Sequence, residues 1–248
     1  MSVAEQDQQQ GDQLRILHWN IHSWRDTSGA SNLETIADSV GETDPHVVSL
    51  VEVDERWGMS DSLNELADRV GYSWIFAPSF EFGDQTPAGG FGNALLTKLP
   101  ILAVQHWQLL WPSKLYDGTE PSEPRSAVFA KLGFLQSPLW FGSTHLSRSD
   151  SQARANGLRR LMALTQKLDG HWLVCGDFNT PASSWLHNDR SVVVCPEPAQ
   201  PTYPADEPVE PIDYCVASPG LLMEGKVLPV EGSDHLPLVV FVRVGGDG

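Results

Sequence analysis

The residues of this chain that could do chemistry stand at the ends of apolar, β-branched runs. Asn20 follows the run 14–19, and Glu52 sits inside 49–53. His145 ends 139–145, and Asp177 and Asn179 follow the run 172–175. Asp213 opens 212–217, and Asp234 with His235 precedes 236–244. Carboxylates of this kind can hold a divalent cation or take a proton from water, imidazoles can carry protons or stabilise charge, and an amide can position an oxygen. Asp177 reads as a general base or a holder of water, and Asn179 as an amide offered to a phosphate. Glu52 lies in a run that a lone carboxylate enters only at a cost, so it is either half-exposed on an edge or held by a cation; the reading favours the cation. Singly, each residue has a plainer account. Gly, Asp and Asn are common turn formers, and an isolated histidine is usually a satisfied core residue. Repetition of one pattern at successive strand ends outweighs those accounts, because ligands of open α/β sheets bind beyond the strand ends.

The elements that must position these groups alternate along the chain. Strands are predicted at 14–19, 46–53, 72–76, 91–96, 125–132, 139–145, 172–175, 212–217 and 236–244. Helices are predicted at 31–40, where Ser31 is the expected cap, at 60–70, at 150–168, and as a short piece at 181–187. Gly92 is expected to permit close backbone approach with Asn93 turned toward the site, and a solvated turn at Gly92-Asn93 is the competing account. The stretch 105–124 reads as irregular. Its Trp107, Trp111 and Tyr116, with Phe80 and Phe82 from the loop 78–90, either rim a pocket or simply pack their loops. Residues 1–12 read as a disordered polar tail and 13–244 as one domain.

Of 248 residues, 41% are hydrophobic, which supports a sizeable core. Sixteen Lys and Arg against 32 Asp and Glu give a formal charge of −16, which opposes non-specific binding to nucleic acid or an anionic membrane. The three cysteines, Cys175, Cys195 and Cys215, make a poor disulfide framework and read as reduced, buried thiols. No secretory leader or bilayer-length apolar run is evident, so a cytoplasmic location is expected.

The pieces Trp19-Asn20-Ile21, Leu50-Val51-Glu52-Val53, Gly92-Asn93-Ala94-Leu95, Thr144-His145-Leu146, Gly176-Asp177-Phe178-Asn179, Ile212-Asp213-Tyr214 and Ser233-Asp234-His235 occur in an order that resembles the endonuclease/exonuclease/phosphatase superfamily. The resemblance spans 14–244. It implies a four-layer α/β sandwich of two packed mixed sheets flanked by helices, and metal-dependent phosphoester hydrolysis. It also implies that Glu52 is the main ligand of Mg²⁺ or Mn²⁺, with Asn20 and Asp234 assisting. Asp177 would activate water, Asn179 would position a phosphate oxygen, and His145 and His235, the latter oriented by Asp213, would stabilise charge or protonate the leaving group. Arg125 is a candidate phosphate clamp, with a surface arginine at a strand start as the alternative. His22 stands where several nuclease members carry an acid, and Thr202-Tyr203-Pro204 is similar to small members of the family.

The leading expectation is a monomeric hydrolase of a small phosphodiester or phosphomonoester. A nuclease is the nearest alternative, and a catalytically silent binding module on the same fold is the alternative of another class. The loops flanking the expected site, 78–90, 105–124 and 195–211, carry Lys114 as their basic residue, which argues against a nucleic-acid partner.

Overall fold

The structure is a computed structural model that describes residues 13–56, 61–81, 89–111, 123–134, 138–186 and 191–245. The expected tail at 1–12, and Phe82, Lys114 and Tyr116, lie outside the described residues. The first half of the chain forms β1 (Leu14–Asn20), α1 (Leu33–Thr43), β2 (Val47–Arg56), α2 (Ser62–Val70), β3 (Ser73–Glu81), β4 (Gly89–Thr97) and β5 (Ile101–Leu110). The second forms β6 (Arg125–Leu132), β7 (Leu139–His145), α3 (Ser151–Thr165), β8 (Trp172–Asp177), β9 (Val193–Cys195), β10 (Asp213–Ala217), β11 (Leu221–Val227) and β12 (Leu238–Val244).

Among the described residues the strands make two six-stranded sheets, ordered β11-β12-β1-β2-β4-β3 and β5-β6-β7-β8-β10-β9. Both are mixed: β1 runs parallel to β2 and β7 parallel to β8, whereas the other pairings are antiparallel. Alternation decides the layers, since residues i and i+2 share a face. Leu14 and Ile16 meet Phe141, Leu173 and Val240 between the sheets. Leu17 and Trp19 face outward onto Ile36 of α1 and Leu66 of α2. Trp172 and Val174 face the other way, onto Leu158 and Leu161 of α3. The result is the expected four-layer α/β sandwich, helix, sheet, sheet, helix.

Several local expectations change. The stretch expected to be irregular from 105 is β5 as far as Leu110, and Trp107 packs on Phe129 with ring centroids 4.5 Å apart. Ser31 is not the cap of α1: that position belongs to Asn32, whose amide instead donates to Ile21 O (2.9 Å) and Gly232 O (2.6 Å). The helix expected at 181–187 is a single 3₁₀ turn at Ala182–Ser184. The cysteines also depart from expectation. Cys175 and Cys215 face one another in the β8–β10 register and form a disulfide, while Cys195 remains a buried free thiol. Sequence separation hid a pairing that antiparallel register makes direct.

The parallel pairs carry Asn20 and His145 to one edge of the sandwich, and two irregularities shape that edge. Between Leu50 and Val53 the β2–β4 register slips, so that Val51 and Glu52 stand against one partner residue and Glu52 takes φ 57°. A β-bulge of this kind re-aims a side chain. Gly92 is required beside it, because a Cβ there would lie 2.3 Å from Ala77 O. The second irregularity is a left-handed turn in which His22, Ser23 and Trp24 have φ of 47°, 55° and 63°. Non-glycine residues rarely adopt this conformation. Trp24 Nε1 donates to Glu55 (3.1 Å), and the same carboxylate oxygen accepts from Leu63 N (3.0 Å), so the turn is tied to β2 and α2.

Candidate active site

The sandwich edge opens into a cleft of about 580 Å³ whose lining includes Glu52, Arg125, His145, Asp177, Asn179, Asp234 and His235. Asp177 lies at its centre. It ends β8 directly opposite Asp213 at the start of β10, so the antiparallel register alone places two carboxylates side by side. Asn20 at the end of β1 reaches across from the other sheet, its Nδ2 lying 3.1 Å from both Glu52 Oε1 and Asp177 Oδ2. The loop before β12 is pinned over β1. Ser233 Oγ donates to Asn20 O (2.7 Å), and Trp19 Nε1 donates to His235 O (2.8 Å).

The two imidazoles beside Asp177 differ in charge. His235 Nδ1 is 2.7 Å from Asp213 Oδ2, and His235 Nε2 is 3.7 Å from Asp177 Oδ2. Burial opposes a charge on His235, but the Asp213 and Asp177 carboxylates outweigh it and push its pKa up to about 10. Burial would likewise raise Asp213. The charge on His235 and the nearby His18 overcome that and hold its carboxyl well below the usual range. Asp177 moves the other way, pushed up to about 7 by burial and then by Asp213, with His235 opposing. A carboxylate of raised proton affinity is suited to taking a proton from water.

His145 is held neutral, first by burial and then by the positive charge of Arg125. Arg125 Nη1 lies 3.1 Å from His145 Nδ1. A guanidinium can only donate, so toward Arg125 the Nδ1 atom is an acceptor, while Nε2 faces both Asp177 Oδ2 at 3.4 Å and the Asn179 amide nitrogen at 3.0 Å. Arg125 is in turn ion-paired with Glu123. Asn179, itself at φ 52°, donates from Nδ2 to Leu146 O (3.0 Å) and abuts His145 Nε2 (3.0 Å). Its backbone N donates to Asp177 Oδ1 (2.8 Å).

Of the residues expected at the site, Glu52, Arg125, His145, Asp177, Asn179, Asp234 and His235 line the cleft, while Asn20 and Asp213 lie just beneath its floor. Asn93 is not brought to it: the side chain is buried and donates to Ser126 O (3.0 Å) across the two sheets. Trp107 and Trp111 do not rim the cleft, whereas Phe91, stacked on Phe80 at 5.5 Å, lines it.

Other participants went unassigned in the sequence. His18 is fully buried, with Nε2 3.6 Å from Asp213 Oδ1 and Nδ1 2.9 Å from Ser49 Oγ. Its signal was available, because 14, 16, 18 and 20 share one strand face and end at Asn20. Thr202 Oγ1 donates to Asp213 Oδ2 (2.6 Å). Arg148, Arg154 and Tyr203 complete one wall. Arg148 precedes α3, Arg154 lies in its first turns and Tyr203 follows β9, so it is the fold that brings them together.

Solved structures share this architecture. The mannosyl-6-phosphatase Bt3783 of Bacteroides thetaiotaomicron is 16% identical with a TM-score of 0.75, covering 92% of this chain and 99% of its own. An endonuclease/exonuclease/phosphatase of Beutenbergia cavernae is 22% identical at a TM-score of 0.73, covering 95% and 72%. The humanized D. rerio TDP2 is 17% identical at 0.71, covering 94% and 100%. No protein with a curated description matches the sequence. Over residues 17–235 the sequence matches the Endonuclease/Exonuclease/phosphatase family, and the chain belongs to it.

Proposed function

We propose that this chain is a divalent-cation-dependent hydrolase of small phosphoesters, monoester or diester, and that Mg²⁺ or Mn²⁺ is its cation. The observation that carries this reading is the position of Asp177, a buried carboxylate set between a charged and a neutral imidazole on the floor of an open cleft. Family membership supports phosphoester hydrolysis in general. A neighbour named for a sugar-phosphate monoester supports a substrate of modest size.

The donor set fits a hard cation. Glu52 and Asp234 are partly buried carboxylates that both line the cleft, and among the described residues neither has a Lys or Arg within ion-pairing distance. Glu52's ionisable neighbour at 4.0 Å is the neutral His145. Carboxylates so placed favour a cation with oxygen preference. Asn20 would keep Glu52 aimed. Asp177, Asp213 and His235 also offer ligand atoms within 4.8 Å of one another, but His235 Nδ1 is engaged with Asp213 and its ring holds its proton, so Glu52 and Asp234 are the better site. When bound, the cation supplies Lewis-acid polarisation of a phosphoryl oxygen.

The chain's own residues would do the rest. Asp177 would take the proton of the attacking water, with the Asn179 backbone N–H fixing its other oxygen. His235, kept protonated by Asp213, would place positive charge beside the phosphoryl group and is also the proton donor for the leaving oxygen. His145 would donate from Nε2 to a phosphoryl oxygen, its tautomer set by Arg125. Such aimed donors stabilise developing charge without reorganisation. Arg125, ion-paired with Glu123, also lines the cleft and holds His145 in place.

The expected outcome of Glu52→Gln is a fold intact by circular dichroism, Mn²⁺ affinity lowered by ~10-fold or more, and most activity lost. Calorimetric titration that finds parental Mn²⁺ and Mg²⁺ affinity would defeat the ligand assignment.

A further inference from the structure

Arg148 and Arg154 line the cleft, and among the described residues neither has a carboxylate within ion-pairing distance. By contrast Arg125, the third arginine of the cleft lining, is paired with Glu123. Arg148 is nevertheless ordered by neighbours. Its Nη2 donates to Tyr203 OH (2.9 Å), and its guanidinium stands 5.5 Å from the Tyr203 ring centroid. Tyr203 in turn packs on His235, centroids 4.7 Å apart. Arg154 Nη1 donates to Ser147 O (2.9 Å) and Arg148 O (2.6 Å), which fixes the backbone from which Arg148 projects.

A planar donor held this way has N–H groups free to meet a ligand, and one aromatic ring separates it from His235, the side chain proposed to face the reacting phosphate. The aromatic ring between them acts as a spacer. We infer that Arg148, braced by Arg154 and Tyr203, forms a subsite for a second anionic group, a phosphate or carboxylate, on the part of the substrate that is not hydrolysed. This rests on the phosphoesterase reading above and narrows its substrate class to small bis-anionic phosphoesters. Guanidinium favours such groups because its fork matches two acceptor oxygens. A neutral alcohol portion would offer the Arg148 fork no pair of acceptor oxygens, which is how one wall selects between otherwise similar esters.

The test compares propane-1,3-diylbisphosphonate with propylphosphonate, two non-hydrolysable probes, by calorimetry at fixed Mg²⁺, alongside hydrolysis of the corresponding bisphosphate and monophosphate esters. The parental protein is expected to prefer the bisphosphonate by ~10-fold or more, the worth of one charge-assisted hydrogen bond. Arg148→Ala should erase that preference and Arg148→Lys should keep part of it. Tyr203→Phe, which retains the ring but frees Arg148, should reduce it. Equal affinity for the two probes, or a preference that survives Arg148→Ala, overturns the inference even if both esters are hydrolysed. Preferential binding of the bisphosphonate with no hydrolysis of either ester leaves the subsite standing and defeats the phosphoesterase reading instead. A single-stranded trinucleotide that displaces the bisphosphonate with higher affinity than the bisphosphonate's own would move the subsite to nucleic acid and overturn the small-substrate class.

Discussion

Asp177, His235 and Asp213 are one unit, because each fixes the protonation of the next. If Asp177 takes the water proton while His235 stabilises the phosphoryl charge, Asp177→Asn and His235→Ala should each lower turnover by roughly 10²- to 10⁴-fold. Both act in the same step, so the double variant should be little worse than the poorer single one. Steady-state rates for all four proteins check this, and losses that add fully in the double variant would argue against a shared step. Thermal midpoints serve as the control for misfolding. The candidate site was legible at this scale, since Asp177, Asp213, His235, Asn20 and Glu52 each bound or interrupt an apolar run. What was not legible is what each one touches. Asn93 has the residue type and strand position of a substrate ligand, yet it spends its amide on Ser126 across the sheets. Nothing local to Asn93 distinguishes those two directions.

At the scale of elements, strands with buried faces read cleanly and the rest did not. β11 (Leu221–Val227) alternates between buried and exposed and contains Glu224, Gly225 and Lys226, so it lacks the apolar run that reveals a central strand. Its pairing with β12 supplies the missing stability. The bulge at Glu52 was also invisible, because register slips depend on the partner strand. An element-level consequence concerns Glu55, which lies near the end of the same strand and ties the left-handed turn at 22–24 to α2. Burial pushes its carboxyl up to about 7, against hydrogen bonds from Leu63 N and Trp24 Nε1 that favour the charged form. With a folded pKa above the unfolded value, the contribution is fully present below the ordinary carboxyl range and is lost as pH rises through about 7. Glu55→Gln cannot titrate. Melting curves of both proteins from pH 4 to pH 8 should therefore show the parent losing ground to the variant across that window, and parallel curves would sink the linkage.

At the scale of the whole molecule, charge and cleft size bear together on what is hydrolysed. A duplex needs several phosphates neutralised by Lys and Arg, and a protein making six to ten such contacts loses about 10³- to 10⁵-fold in affinity between 50 and 200 mM salt. This chain carries −16, and several of its described cations are engaged within the molecule: Lys98 and Arg15 with Asp44, Arg69 with Glu34 and Glu65, and Lys131 with Asp169. The guanidiniums that face the cleft are confined to its wall, where they can reach one or two anionic groups of a bound molecule but not a run of phosphates. A cleft of about 580 Å³ admits a molecule of metabolite size. A small phosphoester is therefore expected to show a shallow salt dependence of kcat/KM and to be turned over far faster than duplex DNA or RNA under the same conditions. Measuring kcat/KM for each substrate from 25 to 300 mM salt decides it. Efficient cleavage of nucleic acid with a steep inverse salt slope would overturn the small-substrate reading.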